Sequence, residues 1–316
     1  MRRTVLAAAG RLAVAAGLCT LLSIVVFAGV DALPGDPVTA RLGGTATPEQ
    51  IATARERLGL DQPLPRRYTD WVAGLVRGDL GTSASGRPVT DMLGERLGNS
   101  LLLAALTVVL LVPLSLAAGV AAGLRPGSRT DRGLSSGALL LVAVPEFLLA
   151  AVLLLVFAAG LGWLPPVSLV PAGQNPLSVP GVLVLPVLSL LLPSLAYATR
   201  LIRAATAAAV RAPHVEFLRL NGVAAGRVLR HAVLPAVLPV GLQVWLVTAV
   251  GLVGGAVLVE QVYGYPGVGG LLVQAVRAGD LPVVQAVATL LGAAMLAALL
   301  LADLGVRLLT PTLRTP

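Results

Sequence analysis

The 316-residue chain has no lysine, one cysteine, two histidines and few aromatic residues. Each shortage closes off a class of function. Without lysine there is no Gly-x4-Gly-Lys-Ser/Thr loop to cradle a nucleotide phosphate, so the chain does not hydrolyse ATP by a P-loop of its own. Cys19 stands alone inside a hydrophobic run, which excludes a disulfide framework and a cysteine metal site. Bulky Leu18 in front of it argues against a lipoprotein cysteine. His214 and His231 fall in one basic stretch, and no histidine–cysteine or histidine–carboxylate metal cluster can be assembled around them. Charge is also scarce, at 12% of residues against 56% hydrophobic, the balance of a membrane protein. All 23 basic residues are arginine. They flank hydrophobic runs instead of forming a solvated basic face with interleaved aromatics, so the positive balance does not point to nucleic acid.

What the chain does have is long apolar runs. Arg2, Arg3 and Arg11 precede a first span from Leu12 to Val30, and the further spans that follow disfavour a cleaved signal peptide. Later spans are expected over 99–124, 138–164, 179–199 (interrupted by Pro186 and Pro193), 233–259 and 283–302. Gly119-x3-Gly123 and Gly251-x3-Gly255 would let neighbouring helices approach closely. Short loops on one side hold fourteen arginines and those on the other only Arg277. That bias predicts an all-α membrane protein with six transmembrane helices and both termini cytoplasmic. The expected organisation is residues 1–30 as N-terminus and first helix and 31–98 as a small helical extracytoplasmic segment. A five-helix core follows over 99–309, with a basic loop at 200–235, and then a cytoplasmic tail over 310–316.

Residues 31–98 differ in kind, with nine acidic residues against eight arginines. Thr47-Pro-Glu-Gln50 has the pattern of a capping box opening an amphipathic helix that Gly59 closes. Tyr68, Trp71, Val72 and Leu75 fall at helical spacing before Gly78. In the basic loop, Pro213 suits the first turn of a short helix. Asn221-Gly222 supplies a left-handed stop, and 223–233 forms a second short helix before Pro235. Two short helices joined at a glycine make a compact knob.

Within the knob, Glu216-Phe217-Leu218, three residues, Gly222, nine residues and Ala232-x-Leu234-Pro235 resemble the Glu-Ala-Ala-x3-Gly-x9-Ile-x-Leu-Pro loop of ABC importer permeases. Phe217 and Leu218 replace two alanines, and Ala232 replaces a branched residue. Leu33-Pro-Gly-Asp-Pro37, Arg57-Leu-Gly-Leu-Asp-Gln-Pro63, Arg77-Gly-Asp-Leu-Gly-Thr-Ser83 and Glu260-Gln-Val-Tyr-Gly-Tyr-Pro-Gly-Val-Gly269 extend the resemblance to permeases of the dipeptide, oligopeptide and nickel group. The resemblance implies a permease subunit in the bacterial inner membrane that is not itself an enzyme. ATP and magnesium would belong to two partner ATP-binding subunits. It also implies a second homologous permease subunit and an extracytoplasmic solute-binding protein. Glu216, Phe217, Leu218, Gly222, His231 and Pro235 would couple the chain to the ATPase. Dipeptides, longer peptides and nickel or metal-chelate complexes are all open as cargo. A self-contained secondary transporter is the reading from a different class, disfavoured by the absence of an inverted repeat.

Few residues within the spans carry chemistry. Glu146, in Val144-Pro-Glu-Phe147, lies mid-span beside a proline that can open a kink. A carboxylate there either lines a pathway or hydrogen-bonds a neighbouring helix. The family commonly has a small residue at this position. Gln243, Trp245 and Thr248 either line a pathway or pack between helices. Glu260 and Asp303 are expected at span ends, as interfacial carboxylates.

Overall fold

A computed structural model describes residues 2–32, 47–57, 61–170 and 175–309. The Leu33–Pro37 motif, Gly59 as a helix stop and the tail over 310–316 lie outside these residues. Among the described residues the chain is helical, with one isolated bridge between Thr82 and Pro88. Five helices among the described residues are long and apolar enough to cross a membrane, and a bent pair makes a sixth crossing when taken together as one span. The helices are α1 Arg2–Asp31, α2 Pro48–Arg57, α3 Leu64–Val76, α4 Val89–Leu124, α5 Arg129–Ala143, α6 Glu146–Leu153, α7 Gly181–Val210, α8 Pro213–Leu220, α9 Ala225–Val228, α10 Leu234–Tyr263, α11 Val268–Ala278 and α12 Leu281–Leu309.

The chain forms two compact units that are not contiguous in sequence: residues 1–100 with 266–297, and 101–265 with 298–316. The first unit packs Val30, Val89, Leu271, Val283, Ala286 and Val287 into one core. Phe27 of α1 meets Tyr68 and Trp71 of α3 at ring-centroid distances of 5.5 and 5.4 Å. Ser23 and Tyr68 share a 2.8 Å hydrogen bond, and Arg67 pairs with Asp31 at 2.8 Å. The expected capping box is present: Thr47 N–H donates to Gln50 Oε1 at 3.0 Å, and Gln50 N–H donates to Thr47 Oγ1 at 3.3 Å.

Several boundaries differ from the sequence expectation. Helix α4 opens at Val89 instead of 99, because the polar residues Glu95 and Arg96 end the hydrophobic run but not the helix. Helix α11 lies in what was expected to be loop, its Val268, Leu271 and Ala275 buried on one face. Helix α7 is longer than expected and passes through Pro186 and Pro193 without a break. Pro186 has no N–H to give the Val182 carbonyl, and the Ser168 hydroxyl donates to that carbonyl instead, at 2.6 Å. In the second unit Gly119 and Gly123 make the predicted close approach. A Cβ on Gly123 would lie 2.5 Å from Thr206 Cβ and 2.7 Å from the Arg203 carbonyl.

The third span is the largest departure. It is two helices, α5 and α6, that meet at 103°. Val144 (φ −92°, ψ 124°) and Pro145 (φ −58°, ψ 142°) are both extended, as a residue before proline must be. Helix α6 then runs on into a π-helical stretch, Leu154–Gly160. Its position is fixed by Tyr263, fully buried, whose hydroxyl donates to the Ala150 carbonyl at 2.8 Å and shares a 2.9 Å hydrogen bond with Ser189.

Candidate functional site

Two places in the second unit carry the residues singled out from sequence. The first is the knob. Helix α8 starts at Pro213 after an extended Ala212 and ends in a Schellman closure. Val223 N–H donates to the Leu218 carbonyl at 3.1 Å and Gly222 N–H to the Arg219 carbonyl at 3.0 Å. Gly222 takes φ +73° to permit it, a conformation that costs any residue with a Cβ. Val215 and Val228 are buried with Val120, Ile202, Val233 and Val237, and Leu218 and Val223 pack against them. Leu218 therefore faces inward. On the outer face, Glu216 and Arg219 are exposed, and Phe217 and Leu220 remain 65% and 81% exposed. His231 is exposed, its Nδ1 3.1 Å from the Arg227 carbonyl.

The second short helix of the knob does not stop before Pro235. A π-helical turn, Leu229–Val233, joins α9 to α10, giving one helical run from Ala225 to Tyr263. The wide turn comes just where the proline ring would crowd the preceding carbonyls, and Pro235 is left exposed in the first turn of α10.

The knob's base is tied by a residue pair that sequence reading missed. Arg203 of α7 binds Asp131 of α5 bidentately, Nε to Oδ1 and Nη2 to Oδ2, both at 2.7 Å. Gly127 N–H adds a bond to Oδ2 at 2.8 Å and Ser135 one to Oδ1 at 3.3 Å. Asp131 is 3% exposed. The available signal was local: Ser128-x-x-Asp131 is a capping pattern, and Ser128 Oγ accepts from Asp131 N–H at 3.2 Å.

The second place is the bend. A cavity of about 420 Å³ opens beside it, lined among others by Pro145, Glu146, Ser194, Tyr197, Thr248 and Gly251. Glu146 is the first residue of α6, half-buried, with its carboxylate against Gly255. A Cβ there would lie 3.1 Å from the carboxylate carbon. Gly255 thus makes room for a side chain, while Gly251 has no atom within 4 Å of an added Cβ. The second glycine pair is therefore not the helix-packing face expected of it. Gln243 is exposed and not among the cavity residues, whereas Trp245 donates from Nε1 to Ser115 Oγ at 2.9 Å and is a packing residue. Glu260 is 1% exposed, not interfacial, because α10 continues past it to Tyr263; Asp303 is exposed.

The chain matches a family described as binding-protein-dependent transport system inner membrane component over residues 97–315, and the N-terminal part of that component over residues 6–112. A Brucella abortus protein named as a peptide transport system permease is 35% identical over 309 residues, 96% of this chain and 97% of the relative. A peptide ABC transporter permease protein of Sinorhizobium fredii is 31% identical over 306 residues, again 96% and 97%. The glutathione transport system permease protein GsiC of Escherichia coli is 33% identical over 272 residues, 84% of this chain and 85% of the relative.

Proposed function

Since the chain belongs to the family of binding-protein-dependent transport system inner membrane components, multi-pass proteins of ABC importers, we propose that it forms half of the translocation pathway of an ATP-driven peptide importer. A second homologous permease subunit supplies the other half, and two ATP-binding subunits carry ATP and magnesium. An extracytoplasmic solute-binding protein delivers the cargo. The names of the Brucella and Sinorhizobium relatives support peptides, and so does the glutathione of the Escherichia coli relative, itself a small peptide. Both termini and the knob lie on the cytoplasmic side, in keeping with the six arginines at 200, 203, 211, 219, 227 and 230.

The observation that carries the reading is the knob. Two large apolar side chains, Phe217 and Leu220, stand exposed on a helix whose other face is packed and whose end is locked by Gly222. An apolar anchor on a rigid mount suits a partner's groove. The knob joins α7 directly to the helical run from Ala225 to Tyr263, so a displacement of the knob is delivered to two spans without a flexible link. When the ATPase subunits close, they draw the knobs together, and the spans turn from inward-facing to outward-facing to receive cargo.

The test is purification of the tagged chain from its native membrane in mild detergent. Recovery of two ATP-binding subunits and a second permease, with peptide-stimulated ATPase activity once the binding protein is added, supports the reading. Recovery of the chain alone, intact and without ATPase activity, rejects it. Gly222→Val places a β-branched residue at φ +73°, a strain of about 1–2 kcal/mol. The complex should assemble and hydrolyse ATP while uptake falls. Full uptake by an assembled variant would refute the coupling role of the knob.

A further inference from the structure

We propose that the cavity at the bend is a subsite for a cationic group of the cargo, an ammonium above all, with Glu146 as its counter-ion. The inference rests on the reading of the chain as a peptide permease.

Three observations converge on it. No basic side chain among the described residues lines the cavity, and the one charged residue in its wall is a carboxylate without an opposite charge in view. Among the described residues no hydrogen bond or ion pair reaches Glu146, although Gly255 gives its carboxylate a defined seat. A carboxylate left like this inside a span is expensive and marks a pathway more often than a packing contact.

The third observation is the hydroxyl-bearing residues about the cavity. Thr248 Oγ1 is buried, and no described residue pairs with it. Thr107 and Thr206 show the usual alternative: their hydroxyls donate to the carbonyls four residues back, at 2.9 and 2.8 Å. Thr248 makes no such bond and lines the cavity, along with the hydroxyl-bearing Ser194 and Tyr197. An ammonium carries three donors and no acceptor, while the Ser194 and Tyr197 hydroxyls offer acceptor lone pairs and the carboxylate offers charge. The remaining walls are largely apolar. An anion would meet like charge from Glu146 and no cationic donor, so the cavity discriminates by sign.

The test uses the assembled complex in membrane vesicles. Gly251 lines the cavity with open space at its Cβ position, so Gly251→Cys is accommodated there as a reporter, in a Cys19→Ser background. Labelling of this chain is followed with two methanethiosulfonates of similar size, one ending in trimethylammonium and one in sulfonate. The expected result is labelling about tenfold faster by the cation, as a fixed charge concentrates ions of opposite sign, with the ratio falling to near parity in Glu146→Gln. Trialanine should slow the cationic labelling in the parent and not in Glu146→Gln, while N-acetyl-trialanine should slow neither. A third peptide, N-acetylated and carrying one lysine, distinguishes the source. If it protects as trialanine does, the subsite takes ammonium groups generally; if trialanine alone protects, it takes the amino terminus.

Equal labelling by both reagents, a preference that survives Glu146→Gln, or equal protection by trialanine and its N-acetyl form would overturn the subsite. Peptide-stimulated ATPase activity of the same preparation is the separate readout for transport function. If stimulation persists without a charge preference, the subsite alone fails. A charge preference with no coupling to ATP would reject the importer reading and leave the cation site standing.

Discussion

Asp131 and Glu146 stand at the starts of the two helices of one bent pair, and the protein treats them in opposite ways. Asp131 is almost fully buried, and its oxygens are taken up by Arg203, the Gly127 N–H and Ser135. Glu146 is half-buried, and among the described residues nothing pairs with it. One carboxylate is finished inside the fold, so its role is to hold α5 against α7 at the base of the knob. The other is positioned without a protein partner beside a cavity, where in our proposal a cationic ligand completes it.

The largest effect should come from opening the finished site. Asp131→Ala leaves the Arg203 guanidinium and the Gly127 N–H without their acceptor. The temperature at which half of the detergent-solubilised complex loses its monodisperse peak should fall, on the order of 5 °C. Removing both partners of a buried pair costs less than removing one, so Asp131→Ala with Arg203→Met should recover part of the loss. A double variant as unstable as the single one would mean that the bridge is incidental to the packing.

At the unfinished site the sign should reverse. Glu146→Leu replaces a half-buried carboxyl group that no described residue pairs with by an apolar side chain, and the same melting measurement should rise, on the order of 2 °C. A fall comparable to that of Asp131→Ala would show that Glu146 is a structural group and erase the contrast between the two carboxylates.

The contrast also marks what can be read from a sequence. The capping box at Thr47, the helix start at Pro213 and the left-handed stop at Gly222 were all legible, because each is decided by residues within a few positions. Pro145 announced a break for the same reason. Its angle of 103° was not legible, since the direction of α6 is set by Tyr263 reaching the Ala150 carbonyl across more than a hundred residues. Asp131 and Arg203 are likewise 72 positions apart. Helix α11 left a faint trace in Val268, Leu271 and Ala275, but the surrounding glycines masked it. Six apolar runs gave the fold class, and the unpartnered state of Glu146 and Thr248 required the structure.

The smallest predicted effects lie in the second glycine pair, where pattern and structure part most clearly. Gly251-x3-Gly255 reads as a seam between helices, in which case alanine at either position should hurt alike. The structure makes the two unequal. An added Cβ at Gly251 meets nothing within 4 Å, and helix α10 loses a flexible residue from its interior, so Gly251→Ala should be neutral or stabilising by about 0.5–1 kcal/mol. At Gly255 the new methyl would displace the Glu146 carboxylate, the mobile end of a side chain, so the fold should yield at little cost while the cation preference drops. If both variants weaken assembly equally and leave the charge preference intact, the pair is a helix seam after all, and Glu146 loses the support that holds it toward the cavity.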